Sequence, residues 1–198
     1  ETQGHVAKGF EKVADAFSAN FADYPELGAG FALYADGKLQ VDLWGGIADK
    51  TSGKAWDEQT LQLVFSTTKG AAAICVARLV EAGKLEYSDP VSMHWPEFAA
   101  NGKRDITVAQ VMSHQAGLAW AEAPLTIDEI LAVGPVVEAL ADQAPLWEPG
   151  STHGYHAVTY GWLAGEVVRR IDGRSIGRYF ADEVAGPLGL DFWIGLPE

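Results

Sequence analysis

The chain has 198 residues, 48% of them hydrophobic and 21% charged, with a formal net charge of −13. That is an ordinary globular composition and excludes a disordered, collagen-like or coiled-coil chain. The acidic balance argues against a nucleic-acid backbone as ligand, and the single cysteine, Cys75, excludes an internal disulfide framework and a cysteine-rich metal site.

The length suits one domain with a sizeable core, or one and a half small ones. The longest strongly apolar stretch, Ala71 to Val80, is broken by Arg78 and is too short to span a bilayer. No basic segment followed by an apolar core opens the chain, so no signal peptide is read, although an upstream segment could have been removed before Glu1. With one cysteine, a reducing, cytoplasmic setting is the expectation.

Val6, Phe10, Val13, Phe17 and Phe21 recur at helical spacing and predict an amphipathic helix over Val6 to Phe21. Gly28 to Tyr34 and Leu39 to Trp44 are short apolar runs around Asp36-Gly37, which predicts a β-hairpin ended by Gly45-Gly46. A hairpin alone is marginal and wants sheet neighbours. From residue 60 the pattern turns helical. Thr67 to Ala82 is apolar nearly all round and stops at Gly83, as a buried helix would. Thr107 with Gln110, and Thr126 with Glu129, have the spacing of capping boxes. Val158 to Arg170 predicts another amphipathic helix, with Arg169 and Arg170 suiting its C-terminal dipole. Ser175 can cap a last helix that stops at Gly186-Pro187. The division expected is residues 1–60 as helix and hairpin, and 61–198 as a mostly helical part.

The chemistry concentrates in Phe65-Ser66-Thr67-Thr68-Lys69-Gly70. Ser66 and Lys69 are three residues apart where a helix begins, so their side chains share a face. A serine hydroxyl needs an adjacent base to become a nucleophile, and a lysine serves if burial or a helix N-terminus lowers its pKa. The apolar runs on either side, Leu61 to Phe65 and Ala71 to Ile74, would make the setting dry. The plainer alternative is that Ser66 is an N-cap and Lys69 reaches solvent. A second segment, Trp147 to Ala157, contains a Pro149-Gly150 turn that delivers Tyr155 just before a helix. A tyrosine held near two cations can ionise below its usual pKa and act as acid or base; otherwise it is an ordinary half-buried aromatic.

These segments occur in an order that resembles the serine β-lactamase and penicillin-binding-protein superfamily, above all the class C β-lactamases and the carboxylesterases that share their fold. The resemblance runs through Phe65-Ser66-Thr67-Thr68-Lys69, Gly83-Lys84-Leu85 with Asp89-Pro90-Val91, Pro96-Glu97-Phe98, and Ile106-Thr107 with Met112-Ser113-His114 and Gly117-Leu118. It continues through Trp147, Pro149-Gly150 and Tyr155 to Pro187-Leu188-Gly189-Leu190. It implies an α+β, β-lactamase/transpeptidase-like fold, with an antiparallel sheet flanked by helices and a mostly helical subdomain. It also implies Ser66 as acyl-accepting nucleophile, Lys69 as its base and Tyr155 as a proton-transfer group. The Ser66 N–H would be half of an oxyanion hole.

Two departures shape the expectation. The family's Tyr-x-Asn asparagine is Ala157 here, which resembles the esterase branch. The third motif, Lys/His/Trp-x-Gly on a strand, is not found, since Trp193-Ile194-Gly195 comes too soon after the Pro187 to Leu190 turn. The chain thus resembles the N-terminal part of a family member, and a second chain or a C-terminal continuation would complete the sheet.

Gly173-Arg174-Ser175-Ile176-Gly177 spells a nucleophile elbow, but that motif needs a strand before it and a helix precedes it here. His153 and His156 flank Tyr155 without a metal-binding spacing, and His114 reads as structural. Trp44, Trp120 and Trp147 are candidates to wall an acyl pocket. The reading is a carboxylesterase on short-chain acyl esters, taking a small-molecule ester and needing no metal or organic cofactor. The alternatives are an amidase, D-amino-peptide hydrolase or weak β-lactamase, or a non-catalytic binding or scaffold protein.

Overall fold

The structure is a computed structural model that describes residues 2–196. It divides into two units, residues 1–63 and 64–198.

The first unit is a small antiparallel sheet with a helix. Strands β1 (Thr2–Val6), β2 (Gly28–Ala35) and β3 (Lys38–Asp49) lie in the order β1-β3-β2, and β4 (Lys54–Ala55) pairs with the end of β3. The β2–β3 connection is the predicted hairpin. Asp36 and Gly37 both have positive φ, 52° and 71°, the backbone of a tight turn matched to strand twist. Helix α1 (Glu11–Asp23) buries Phe17 against Val41 and Leu43 of β3.

Two expectations are corrected here. The N-terminal helix begins at Glu11, and residues 2–6 form a strand in register with β3, from Thr2 opposite Gly45 to Val6 opposite Val41. Val6 and Phe10 do join the Phe17 core, but from a strand end and the residue preceding the helix, so their helical spacing misleads. Gly45-Gly46 does not end the hairpin, because β3 continues to Asp49. Gly46 sits at φ 85°, and a Cβ there would lie 2.2 Å from the Leu27 carbonyl oxygen. The pair therefore lets another backbone approach a bent strand instead of stopping it.

The second unit is helical, and among its described residues no strand occurs. A 3₁₀ turn (Phe65–Thr67) leads into α2 (Thr68–Glu81). Cys75, Val76 and Leu79 of α2 are fully buried, whereas Ile74 is half exposed. The helix therefore buries one face despite being apolar nearly all round. Short helices α3 (Val91–His94), α4 (Val108–Met112), α5 (Ile127–Leu131) and α6 (Gly134–Asp142) follow. Both predicted capping boxes form, at Thr107 and Thr126. Helix α7 (Thr159–Asp172) contributes Leu163, Val167 and Val168 to the same core and ends at Gly173 in the left-handed conformation.

Ser175 caps α8 (Ile176–Phe180) by accepting from the Arg178 N–H. That helix does not stop at Gly186-Pro187. A π-helical turn (Ala181–Ala185) rewinds it into α9 (Gly186–Leu188), and it ends at Gly189 with φ 63°. Pro187 is tolerated because it falls in the first turn of the new segment, where no N–H is needed.

Candidate active site

Ser66 and Lys69 stand at the start of α2. Phe65, a bulky residue, has φ 44°, a conformation that costs a large side chain strain. The strained turn presents Ser66 at its exposed tip. Ser66 does not cap the helix, whose N-terminus has no side-chain cap at all. Instead its hydroxyl oxygen lies 3.0 Å from Lys69 Nζ, which also donates to the Ala157 carbonyl at 2.6 Å. Lys69 thereby joins two segments 88 residues apart.

Tyr155 belongs to the segment carrying that carbonyl. Lys69 Nζ lies 4.8 Å from the centroid of its ring and 5.8 Å from that of Tyr160. Hydrogen bonds from Ser66 and Lys69, then the charge of Lys69, hold the Tyr155 phenol below its ordinary value, whereas burial pushes Tyr160 up to about 12. Lys69 is the basic side chain beside the ring, and burial holds His114 and His156 towards their neutral forms. The expected dry setting is corrected. Over the residues of this chain alone, Phe65 is 75% exposed and Tyr155 55% exposed.

The Tyr155 loop is fixed from beneath by two histidines. The Gly154 N–H donates to the His114 carbonyl at 3.1 Å, and the His156 N–H donates to His114 Nδ1 at 3.1 Å. His156 is fully buried and accepts the Leu118 N–H on Nε2 at 3.0 Å. That assigns its proton to Nδ1, which donates to the Gly154 carbonyl at 2.6 Å. Thr159 Oγ1 donates to the Leu118 carbonyl at 2.6 Å. Gly154 is obligatory in this packing, because a Cβ there would meet the Trp147 ring at 2.7 Å. Burial pushes both imidazoles below their ordinary value; for His114 the charges of His156, Lys69 and His153 add to it. The sequence reads His114 as structural, whereas its carbonyl and its ring hold the residues on both sides of Tyr155. Its local signal is its place in Met112-Ser113-His114 before Gly117-Leu118, and in the structure it takes the left-handed position after α4, with φ 63°.

Beside Ser66 lies an open cavity of about 310 Å³, whose apolar walls include Ala72, Val158, Ile176 and Ile194. Trp120 and Trp147 are not among its lining residues; Trp147 packs edge-on to His156 instead. Gly177 seats the Ile194 segment, since a Cβ there would lie 2.1 Å from the Ile194 carbonyl oxygen. The glycines of the elbow-like sequence are thus explained by the Gly173 helix end and this close approach, with α7 directly before them. Trp193-Ile194-Gly195 lies on no strand. Among the described residues no group of three or more histidine, cysteine or carboxylate side chains is arranged to hold a metal ion, and no helix is long and apolar enough to cross a membrane.

Residues 13–198 match the family model for Beta-lactamase. Esterase/beta-lactamase LipL of Mycobacterium tuberculosis is 37% identical over 182 residues, which cover 92% of this chain and 42% of LipL. The crystal structure of a family VIII carboxylesterase is similar, with 47% identity and a TM-score of 0.93 over all of this chain and 55% of that one. A penicillin-binding protein homolog from Caulobacter crescentus is similar too, with 46% identity and a TM-score of 0.93 over all of this chain and 53% of that one. These likenesses show the β-lactamase/transpeptidase-like fold. The chain spans about half the length of the relatives it matches.

Proposed function

We propose, starting from the fact that the chain belongs to the beta-lactamase family, that it carries the nucleophile and proton-transfer groups of a serine hydrolase for short-chain acyl esters. The observation that carries this reading is the 3.0 Å approach of Lys69 Nζ to Ser66 Oγ beside the Tyr155 ring. In the proposed reaction Lys69 accepts the Ser66 proton as Oγ bonds to the acyl carbon. The carbonyl π pair moves onto oxygen, held in part by the Ser66 N–H. Collapse expels the alkoxide, which takes a proton delivered through Tyr155. Water then attacks the acyl-enzyme, giving one proton to Lys69 and Tyr155, and the acid leaves as that proton returns to Ser66.

Two observations favour an ester. The cavity beside Ser66 is apolar and of a size for a short acyl chain. Ala157 offers no side-chain amide for a substrate's amide group, and a buried polar group left unpaired costs about 1–3 kcal/mol. The name of LipL joins esterase and beta-lactamase, which keeps weak hydrolysis of β-lactams or other amides as the second reading. We place the second oxyanion-hole N–H and the remaining sheet strands on further polypeptide, a continuation or a second chain, because the relatives are about twice as long.

The test uses the complete protein with p-nitrophenyl butyrate, nitrocefin and a fluorophosphonate. The ester is expected to be turned over by orders of magnitude faster than nitrocefin, and peptide mapping to find the phosphonyl adduct on Ser66. Ser66→Ala is expected to lose several orders of magnitude in turnover. Hydrolysis that survives in Ser66→Ala overturns the assignment, and comparable efficiency on the two substrates overturns the ester preference.

A further inference from the structure

We infer that His114 is a positioning residue for Tyr155, and that it holds the tyrosine only while its ring is neutral. The inference rests on the reading of Tyr155 as a proton-transfer group. His114 reaches the chain on both sides of that residue. Its carbonyl accepts from the Gly154 N–H and its Nδ1 from the His156 N–H, each at 3.1 Å. Its ring lies 5.0 Å from the Tyr155 ring and 5.1 Å from that of Tyr160. Tyr155 is more than half exposed, so the loop's own packing does little to fix it. A displacement of about 1 Å in a reacting group can cost about a hundredfold in rate, which gives the clamp its weight.

The backbone makes the choice of histidine informative. The Gln115 N–H closes on the Gln110 carbonyl at 2.7 Å around the end of α4, a motif whose left-handed position glycine fills most easily. His114 occupies that position at φ 63°, which histidine adopts more readily than most side chains but less readily than glycine.

The Nδ1 bond requires an unprotonated Nδ1, which leaves the neutral ring's proton on Nε2. Protonating Nδ1 would set an N–H against the His156 N–H. Among the described residues five groups face the ring, of which Lys69, His156 and His153 oppose a second cation through their charge while the two tyrosines present ring faces. They are Lys69 from α2, Tyr160 from α7, and Tyr155, His156 and His153 from the loop. Among the described residues no carboxylate is among the charges acting on it.

The experiment compares His114→Gly, His114→Asn, Ser66→Ala and the control His153→Gln in the complete protein, measuring kcat and KM for p-nitrophenyl butyrate from pH 5 to 8. Glycine suits the backbone but removes the acceptor, so kcat is expected to fall about 10- to 100-fold with KM nearly unchanged. Asparagine tolerates the left-handed conformation and can accept through Oδ1. It is expected to restore most of kcat and to weaken the loss of kcat on acidification, because it does not titrate. His153→Gln is expected to keep the parent's kcat at pH 8, where His114 is neutral with or without the His153 charge. Parent-like kcat in His114→Gly overturns the inference, as does an unchanged acid limb in His114→Asn. Should His114→Gly not fold, the His114→Asn profile decides. If Ser66→Ala remains active, it is the hydrolase reading that falls. ¹⁵N NMR of the His114 ring then still decides the clamp, since protonation on Nδ1 at pH 7.5 overturns it and protonation on Nε2 alone supports it.

Discussion

The two arms of the candidate site are held by different physics. Ser66 and Lys69 meet because a helix brings residues three apart onto one face, and α2 is anchored by Cys75, Val76 and Leu79 below them. Tyr155 belongs to no helix or strand. It depends on bonds that cross about forty residues, from His114 and Leu118 to Gly154, His156 and Thr159. A pair placed by one turn of helix survives many changes around it. A side chain placed by a buried polar network is only as well placed as the network is complete.

Lys69 touches both arms, through Ser66 and the Ala157 carbonyl, so removing it is the severest test of the contrast. Lys69→Met keeps length and apolar stem. It is expected to reduce ester turnover about 10²- to 10⁴-fold, the usual worth of a proton-transfer group, with a melting temperature close to the parent's, because the α2 core does not use the ammonium. Both are checked by steady-state kinetics and thermal melting of the purified variant. A collapse of the melting temperature would mean that the arms hold each other in place and are not independently anchored.

The converse disturbance should affect stability first. In His156→Phe the ring volume stays, but the Leu118 N–H and the Gly154 carbonyl lose their buried partner. Each orphaned group costs about 1–3 kcal/mol, and each kcal/mol lowers the melting temperature of a chain this size by about 2–4 °C. A drop of several degrees is expected in calorimetry. The rate at which fluorophosphonate labels Ser66 should be affected less than in Lys69→Met. An unchanged melting temperature would show that the loop has another anchor.

The same division explains what the sequence disclosed. Ser66 with Lys69, the capping boxes at Thr107 and Thr126, the Asp36-Gly37 turn and the Ser175 cap are all encoded within four residues, and each is legible as spacing. Strand β1 is not, because Thr2 to Val6 holds one large apolar residue and takes its identity from pairing with β3. Nor is the run through Gly45-Gly46, where the Leu27 backbone decides the matter. In the site, Tyr155 was found by its place in an ordered set of motifs, whereas the His114–His156 clamp was missed. A histidine's partners forty residues away leave no periodic trace, and the glycine-like backbone at His114 is visible only in three dimensions.

The smallest expected effect is a pH dependence of stability that belongs to the second arm alone. His114 and His156 are both held below the ordinary imidazole value, chiefly by burial. The unfolded chain therefore binds protons near pH 6.5 that the folded form refuses until lower pH. The stability the two histidines contribute is complete above about pH 6.5 and is lost as pH falls through their folded values, with a slope of at most about 1.4 kcal/mol per pH unit for each. Carboxylates act in a different window. Asp89 and Asp172 are lowered by hydrogen bonds, from the Glu86 N–H and from Arg174, so their contribution persists until the pH falls below about 4. Melting temperatures between pH 7.5 and 5 consequently isolate the histidines. A decline of a few degrees is expected across that range, shallower in His114→Asn, which keeps an acceptor and cannot titrate. A flat profile in the parent, or the same slope in the variant, would mean that the imidazoles accept protons without disturbing the loop, and that the tyrosine arm is as robust to charge as the serine arm.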